Sequence, residues 1–270
     1  MISVALTIAG SDPSGGAGLQ ADLKTFHQHA VYGTSVVTLL TVQNTRAVSA
    51  IHYLEPAFVL AQLDAVLADV PPVAAKTGAL GQASVIAALA DRAVNFGFPL
   101  VVDPVMVSKH GAPLIDRDAA EALRRRLLPQ ATLVTPNLPE AAALAEMEVT
   151  DLKTMEKAAA RIALCGVPNV LIKGGRLADS AVDLLWTAGD VHRFAAARID
   201  SPHTHGTGCV FSAAIAARMA RGEELSAAVQ GAKAFVTRAI RTAPRLGAGC
   251  GPINMHAPVD APVSGIPGSS

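Results

Sequence analysis

The sequence has little of what marks disulfide-linked, zinc-binding or nucleic-acid-binding proteins. Its 270 residues include three cysteines (Cys165, Cys209 and Cys250) without C-x-x-C spacing, which argues against a disulfide framework or a structural zinc site. The 22 basic and 22 acidic residues cancel, so there is no electrostatic footprint for nucleic acid or an acidic membrane surface. No apolar run approaches the roughly 20 residues of a membrane-spanning helix, and the N-terminus lacks the positive segment of a signal peptide. These absences predict a soluble, cytoplasmic protein.

Two common nucleotide-binding motifs are also missing or misplaced. The P-loop pattern G-x-x-x-x-G-K-[ST] is absent, which argues against a Walker-type ATPase. Residues 16–21 formally fit the dinucleotide pattern G-x-G-x-x-[GA], but they stand well beyond the first predicted strand. The second predicted strand ends near Gln43, where a dehydrogenase would carry a ribose-binding acid. Any phosphate site must therefore be built from other residues.

Short β-branched runs alternate with longer helical runs along most of the chain. This alternation is typical of βαβ units, and 51% hydrophobic residues can fill a sizeable core. We therefore predict an α/β, three-layer fold with a mostly parallel central sheet, helices on both faces and an antiparallel edge hairpin around Gly189-Asp190. The predicted strands are Val4–Ala9, Ser35–Val42, Ala74–Thr77, Leu100–Asp103, Thr132–Thr135, Val170–Lys173, Ala181–Trp186 and Val191–Phe194. The predicted helices are Pro56–Val70, Gln82–Asn95, Asp118–Leu128, Leu138–Glu146, Lys153–Leu164, Gly208–Arg221 and Ser226–Arg241.

No break in composition divides the chain before its last residues. We therefore expect residues 1–253 to form a single domain. Residues 254–270 are rich in Pro, Gly, Ser and Ala, and we expect them to be a disordered tail.

The segment from His205 to Cys209 precedes a long helical run and combines two glycines with a thiol. Glycines let backbone N–H groups approach a ligand, and a helix N-terminus favours anions and would lower the pKa of a thiol. A glycine-rich helix start with a small buried cysteine explains the same residues without any ligand. Ligands of open parallel sheets bind beyond the carboxyl ends of the strands, where Asp103, Asn137 and Lys173 also stand.

Several segments, in order and up to about Pro252, carry a family resemblance. They are Leu6–Gly18, Gln20–Thr25, Gln43-Asn44-Thr45, Val102–Met106, Thr135–Glu140, Lys173-Gly174-Gly175 and Thr204–Cys209. The chain resembles the hydroxymethylpyrimidine/phosphomethylpyrimidine kinases of thiamine biosynthesis, within the ribokinase superfamily. The resemblance implies a ribokinase-like fold and transfer of the γ-phosphoryl group of ATP to an aminopyrimidine alcohol and then to its monophosphate. It also implies Mg²⁺ as cofactor and a homodimer.

The resemblance assigns roles to individual residues. Cys209 matches the catalytic base, and the backbone of Gly206, Thr207 and Gly208 would hold the transferring phosphoryl group. A cysteine can act as the base if the helix N-terminus lowers its pKa. Lys173 matches a phosphate-contacting lysine.

The remaining matched residues also have structural explanations. Gln43, Asp22 and Gly10 match the substrate-binding region, and the carboxamide of Gln43 complements a 4-aminopyrimidine. Without the resemblance, a surface amide at the end of a strand explains Gln43 equally well. Asp22 is alternatively explained as a first-turn acid of its helix. Asn137 is expected near nucleotide phosphates, and Asp103 with Glu140 near Mg²⁺ and its waters. The Asn-x-x-Glu spacing alone predicts a helix capping box, and both roles can hold together.

Three positions depart from the family pattern, namely Ala79, His110 and Arg176. These departures put the range of accepted substrates in doubt more than the catalytic step. A pyridoxal or pyridoxine kinase of the same superfamily is the nearest alternative function. A ligand sensor that has lost turnover is a further one, disfavoured because Asp103, Glu140, Lys173 and Cys209 are all present.

Overall fold

A computed structural model describes residues 2–108, 111–175 and 181–260 of the chain. Within these ranges nine strands form one sheet in the order β3-β2-β1-β4-β5-β6-β7-β8-β9. The strands are β1 (Val4–Ser11), β2 (Tyr32–Gln43), β3 (Val48–Tyr53), β4 (Ala74–Thr77), β5 (Leu100–Val102), β6 (Leu133–Val134), β7 (Asn169–Ile172), β8 (Ala181–Thr187) and β9 (Asp190–Ala196). The helices are α1 (Gly18–Gln28), α2 (Pro56–Asp69), α3 (Ala83–Ala93), α4 (Arg117–Ala122, continuing as a π segment Leu123–Leu127 and a 3₁₀ turn Leu128–Gln130), α5 (Leu138–Ala145), α6 (Leu152–Ala163), α7 (Thr207–Ala220) and α8 (Leu225–Arg241).

The central strands are buried on both faces, as parallel strands covered by helices must be. Side chains of β5 show the alternation, because Leu100 and Val102 face one core while Val101 faces the other. Helices α2 to α6 cover the first core, and α1, α7 and α8 cover the second. The predicted three-layer fold with a mostly parallel sheet is confirmed.

The predicted edge hairpin is confirmed, and the opposite edge carries a strand that the sequence analysis did not predict. Strands β8 and β9 pair antiparallel, with Thr187 opposite Asp190. At the other edge β3 pairs antiparallel with β2. Its sequence, VSAIHY, has two small residues in succession and two adjacent exposed positions, so it lacks the clear two-residue alternation that predicts a strand.

The tail expected from residue 254 has to be corrected for its first seven residues. Met255 and Ala257 are buried against the α7–α8 core, and the Arg238 guanidinium donates to the carbonyl of Pro258. The composition of the tail predicted disorder, but the burial of Met255 and Ala257 orders this part of it. Residues 261–270 lie outside the described ranges, and the single domain over residues 1–253 stays a prediction.

The fold brings the carboxyl ends of β1, β4, β5, β6 and β7 to one edge of the sheet, with the N-terminus of α7 beside them. Thr135, after β6, donates a hydrogen bond from its hydroxyl to Asp103, after β5. Across residues 2–108, 111–175 and 181–260, no helix combines the length and apolarity needed to cross a membrane.

Candidate active site

A cavity of about 520 Å³ opens at this edge of the sheet. Its wall contains most of the residues that the sequence analysis singled out: Gly10, Gln43, Asp103, Asn137, Glu140, Lys173, Gly206, Thr207, Gly208 and Cys209. Two of them, Gly10 and Gln43, stand on the β1 and β2 side of the cavity. Residues scattered over most of the chain therefore share one space large enough for small-molecule ligands.

The N-terminus of α7 forms one wall of the cavity. Gly206 is the N-cap with φ of +79°, and a side chain there would place its Cβ 1.8 Å from the carbonyl oxygen of Gly16. The next glycine faces charged groups, since a Cβ on Gly208 would lie 3.3 Å from Lys173 Nζ. First-turn amides of a helix have no intrahelical acceptors, so a helix start beside a lysine suits an anionic group.

Lys173 and Asp103 form an ion pair beside this helix start. Lys173 Nζ lies 2.8 Å from Asp103 Oδ1, and the Ser212 hydroxyl, on α7, donates to Asp103 Oδ2 at 3.3 Å. Burial alone would raise the pKa of Asp103, but the ammonium groups of Lys173 and Lys76 hold that pKa below its ordinary value. Burial likewise works against a charged Lys173, and the carboxylates of Asp103 and Glu140 raise the pKa of the lysine. Both partners are therefore charged at neutral pH.

Asn137 and Glu140 form the capping box that their spacing predicts at the start of α5. The Asn137 side chain accepts from the Glu140 backbone N–H at 3.0 Å, and Glu140 Oε2 accepts from the Asn137 backbone N–H at 2.8 Å. Burial, with a smaller contribution from Asp103, raises the pKa of Glu140 to about 7 against the opposing effect of Lys173. The glutamate therefore caps a helix and also adds titratable negative charge to the cavity wall.

This raised pKa predicts the pH dependence of stability at Glu140. From its ordinary value of 4.5 up to about 7, the unfolded chain releases this proton while the folded chain keeps it, so stability falls as pH rises. Glu140→Gln retains the capping geometry and removes the charge. Without divalent cations we expect Glu140→Gln to melt several degrees above the wild type at pH 8 and at nearly the same temperature at pH 4.5. Thermal unfolding followed by circular dichroism measures this, with the exposed Glu148→Gln as control. An equal difference at both pH values would contradict it.

Asp22 was expected in the substrate-binding region, but it does not line the cavity. Its carboxylate is fully buried and paired with Lys76, whose Nζ lies 2.9 and 2.8 Å from the two oxygens. The Thr7 hydroxyl donates to the same carboxylate at 2.6 Å. No role was predicted for Lys76, although a lysine inside the central strand β4 was a signal, since such a strand is buried.

The structure also overturns the expected ionisation of Cys209. Burial raises the pKa of its thiol to about 11, despite the nearby Lys76 ammonium and a hydrogen bond from the Gly18 backbone N–H. Gly18 is the first residue of α1, so two helix N-termini adjoin the sulfur. The prediction of a lowered pKa was wrong because loss of hydration outweighs these partial charges.

Gln43 lies at the end of β2, next to a histidine that the sequence analysis left without a role. Its side chain is within 3.2 Å of His205 Nε2, which in turn lies 2.8 Å from Asp12 Oδ2. Gly10 lines the cavity, and Leu39 leaves no room for a side chain there, since a Cβ would lie 2.5 Å from Leu39 Cδ1. Of the three departures, Ala79 lines the cavity, and His110 and Arg176 fall outside the described residues.

Both acidic residues expected around Mg²⁺, Asp103 and Glu140, line the cavity. No group of three or more His, Cys, Asp or Glu side chains within the described ranges is arranged to hold a metal ion. Magnesium keeps several waters and takes few protein carboxylates. Burial and, to a smaller extent, the Asp103 carboxylate raise the pKa of Glu140, and a cation beside the two carboxylates would favour the ionised form of Glu140. The two residues therefore fit such an ion.

Comparison with protein families and curated proteins gives consistent matches. Residues 12–254 match the family model for phosphomethylpyrimidine kinase. A hydroxymethylpyrimidine/phosphomethylpyrimidine kinase of Synechococcus elongatus is 46% identical over 260 residues, which cover 96% of this chain and 99% of that protein. A thiamine biosynthesis bifunctional protein of Geobacter sulfurreducens is 51% identical over 251 residues, covering 92% of this chain. The matched region is 51% of the Geobacter protein, so the chain spans about half the length of that relative.

Solved structures add a second enzyme class. An ADP complex of Bacillus subtilis pyridoxal kinase superposes with a TM-score of 0.89 at 38% identity, covering 95% of this chain and 98% of that one.

Proposed function

The chain belongs to the phosphomethylpyrimidine kinase family, and from this premise we propose that it makes two successive transfers from ATP. The first phosphorylates 4-amino-5-hydroxymethyl-2-methylpyrimidine, and the second converts the monophosphate into the diphosphate used in thiamine biosynthesis. It is a phosphotransferase, as the names of its relatives indicate.

One observation carries the proposal at the level of residues. The Lys173 ammonium lies beside Gly208 at the α7 N-terminus, in a cavity whose wall also contains Asp103, Glu140 and Gln43. Phosphoryl transfer to a polar heteroaromatic alcohol needs these groups: an anion-binding helix start, a fixed cation, two carboxylates and an amide.

The nucleotide and metal roles follow from these positions. Lys173 and the amides of Gly206 to Cys209 would contact phosphate oxygens, with Asn137 near them. Asp103 and Glu140 would hold Mg²⁺ through few direct contacts and several waters. Magnesium, when bound, neutralises phosphate charge and helps to align the transfer.

The two transfers make different demands on Cys209. In the first, the hydroxymethyl oxygen bonds to the γ-phosphorus, the bond from phosphorus to the bridging oxygen of ADP breaks, and the hydroxyl proton passes to the Cys209 thiolate. In the second, the acceptor is a phosphate monoester whose second pKa is near roughly 6, so it is already ionised and needs no strong base.

Pyridoxal phosphorylation is the second candidate function, because of the likeness to the Bacillus pyridoxal kinase. The decisive experiment offers ATP and Mg²⁺ with the pyrimidine alcohol, its monophosphate or pyridoxal, and measures products by phosphorus NMR. We expect turnover of both pyrimidines. Turnover of pyridoxal alone would overturn the pyrimidine assignment, and no turnover of any acceptor would indicate a sensor.

The anion site predicts an unusual outcome for Gly208→Ala. A methyl group there meets Lys173 Nζ at 3.3 Å and Asp103 Oδ2 at 3.7 Å, while alanine favours the helix by up to about 1 kcal/mol. We expect unchanged or higher thermal stability together with a loss of kcat of about tenfold or more in both transfers. Gly206→Ala is the contrasting variant, expected to destabilise the fold through its positive φ and its overlap with Gly16. Full activity of Gly208→Ala would contradict this anion site.

The homodimer implied by the family resemblance stays a prediction, which sedimentation analysis can test. Strand β2 carries three exposed apolar side chains, Tyr32, Leu40 and Val42, that a second copy could cover.

A further inference from the structure

A charged carboxylate at Asp12 determines which group His205 presents to its neighbours. Asp12 Oδ1 accepts from the Ser14 backbone N–H at 2.9 Å and from the Ser14 hydroxyl at 2.7 Å, and Oδ2 accepts from the Ala17 N–H at 2.9 Å. Burial opposes ionisation, but the hydrogen bonds with His205 and Ser14 lower the pKa of Asp12. An ionised carboxylate only accepts, so His205 Nε2, at 2.8 Å, carries a hydrogen and donates it to Asp12.

The hydrogen on His205 Nε2 determines the orientation of the Gln43 carboxamide. A carboxamide fits the same space in two orientations related by a half-turn, and its partners decide between them. One end of the amide lies 3.2 Å from His205 Nε2, and a nitrogen there would set two donors against each other. The other end lies 3.4 Å from the Thr41 hydroxyl, which already donates to the Ser11 carbonyl at 2.9 Å and so retains only lone pairs. Both partners select the orientation with the oxygen of Gln43 toward His205 and its NH₂ group toward Thr41.

We propose that His205, held by Asp12, is a positioning residue that fixes the Gln43 carboxamide and thereby selects acceptors with a hydrogen-bond donor beside the hydroxymethyl group. The inference rests on the proposed function. In the 4-aminopyrimidine, the ring nitrogen, the amino group and the hydroxymethyl group follow one another around the ring. With the ring nitrogen bonded to the Gln43 NH₂ and the amino group to its oxygen, the hydroxymethyl group extends past His205 toward Gly206–Cys209.

The same geometry disfavours pyridoxal. Its hydroxymethyl group is flanked by an aldehyde, whose oxygen only accepts hydrogen bonds. Placed toward the same loop, that oxygen faces the oxygen of Gln43, and a site built to pair a donor rejects a group that cannot provide one. If the amide turned freely, this distinction would be lost.

The test compares kcat/KM for the pyrimidine alcohol with kcat/KM for pyridoxal, as a ratio. We expect His205→Leu to lower this ratio roughly tenfold or more, mainly through KM of the pyrimidine. His205→Gln offers an N–H near the position of Nε2 and should restore most of the ratio. Thr41→Val removes the acceptor at the other end of the amide and should lower the ratio in the same direction. It provides a readout even if His205→Leu folds poorly.

A double-mutant cycle separates positioning from a general structural effect. In a Gln43→Met background, His205→Leu should change the ratio by less than about twofold, because there is no amide left to orient. If His205→Leu and Thr41→Val both left the ratio unchanged, the inference would be overturned while the proposed function stood. The same holds if His205→Leu changed the ratio equally in the presence and in the absence of Gln43. Failure of the wild type to phosphorylate the pyrimidine would instead overturn the proposed function and this inference with it.

Discussion

Replacement of Cys209 by alanine is expected to slow phosphorylation of the pyrimidine alcohol by about 10²–10⁴-fold, the range for loss of a positioned general base. Phosphorylation of the monophosphate should fall far less, because that acceptor is already ionised at neutral pH. Single-turnover measurements with each acceptor give the two rates separately. Equal losses in both transfers would show that the thiol does not act mainly as a base.

The raised pKa of Cys209 adds a pH signature to this prediction. With a thiol pKa of about 11, the thiolate is a small fraction at pH 7 and grows nearly tenfold with each pH unit. The wild-type alcohol reaction should therefore accelerate from pH 7 to 9.5, and Cys209→Ser should lose this slope. Cys165→Ala is the matched control, because Cys165 packs against the core that helices α2 to α6 cover and does not line the cavity. A flat wild-type profile would contradict the base assignment.

Replacement of Lys173 by methionine is expected to reduce kcat of both transfers by about 10²–10³-fold, as for loss of one preorganised charge-stabilising donor. The effect should be shared because Lys173 faces the helix start that would hold the phosphoryl group in each reaction. Steady-state kinetics with the alcohol and the monophosphate measure it.

Two further variants make the Lys173 result interpretable. Lys173→Arg keeps a cation near Asp103 and should recover part of the rate. Lys157→Met changes an exposed lysine on α6 and should leave both transfers unaltered. Melting temperatures identify any loss of folding caused by an unpaired Asp103. Loss of only one transfer in Lys173→Met would exclude a shared phosphate contact.

The fold was largely predictable because its core strands alternate in sequence with amphipathic helices, and both patterns are local. The two features that were not predicted have different causes. Strand β3 is an edge strand whose residues are all half-buried or exposed, so burial left little pattern in its sequence. The packing of Met255 and Ala257 depends on a groove formed by distant helices, which no local composition reveals.

The composition of the site was predictable, but its electrostatics were not. Strand-end positions and family segments brought Gln43, Lys173 and Cys209 to one cavity. The pairing of Asp22 with Lys76, 54 residues apart, depends on tertiary structure and withdraws the aspartate from the cavity. The raised pKa of Cys209 likewise follows from the loss of hydration at its thiol, which helix-start geometry does not determine.

The close approach of Gly206 to Gly16 has a consequence for synthesis of the chain. His205 also pairs with Pro252, so the loop around Gly16 meets two segments that follow it much later in the sequence. Such nonlocal contacts form late, after the intervening strands and helices. During translation the loop of residues 10–18 leaves the ribosome before the other two segments, and it cannot complete these contacts until residue 252 has been made. A ribosome-bound intermediate lacking the last helix should therefore have a sheet but no nucleotide affinity, and kinase activity should emerge in one late step.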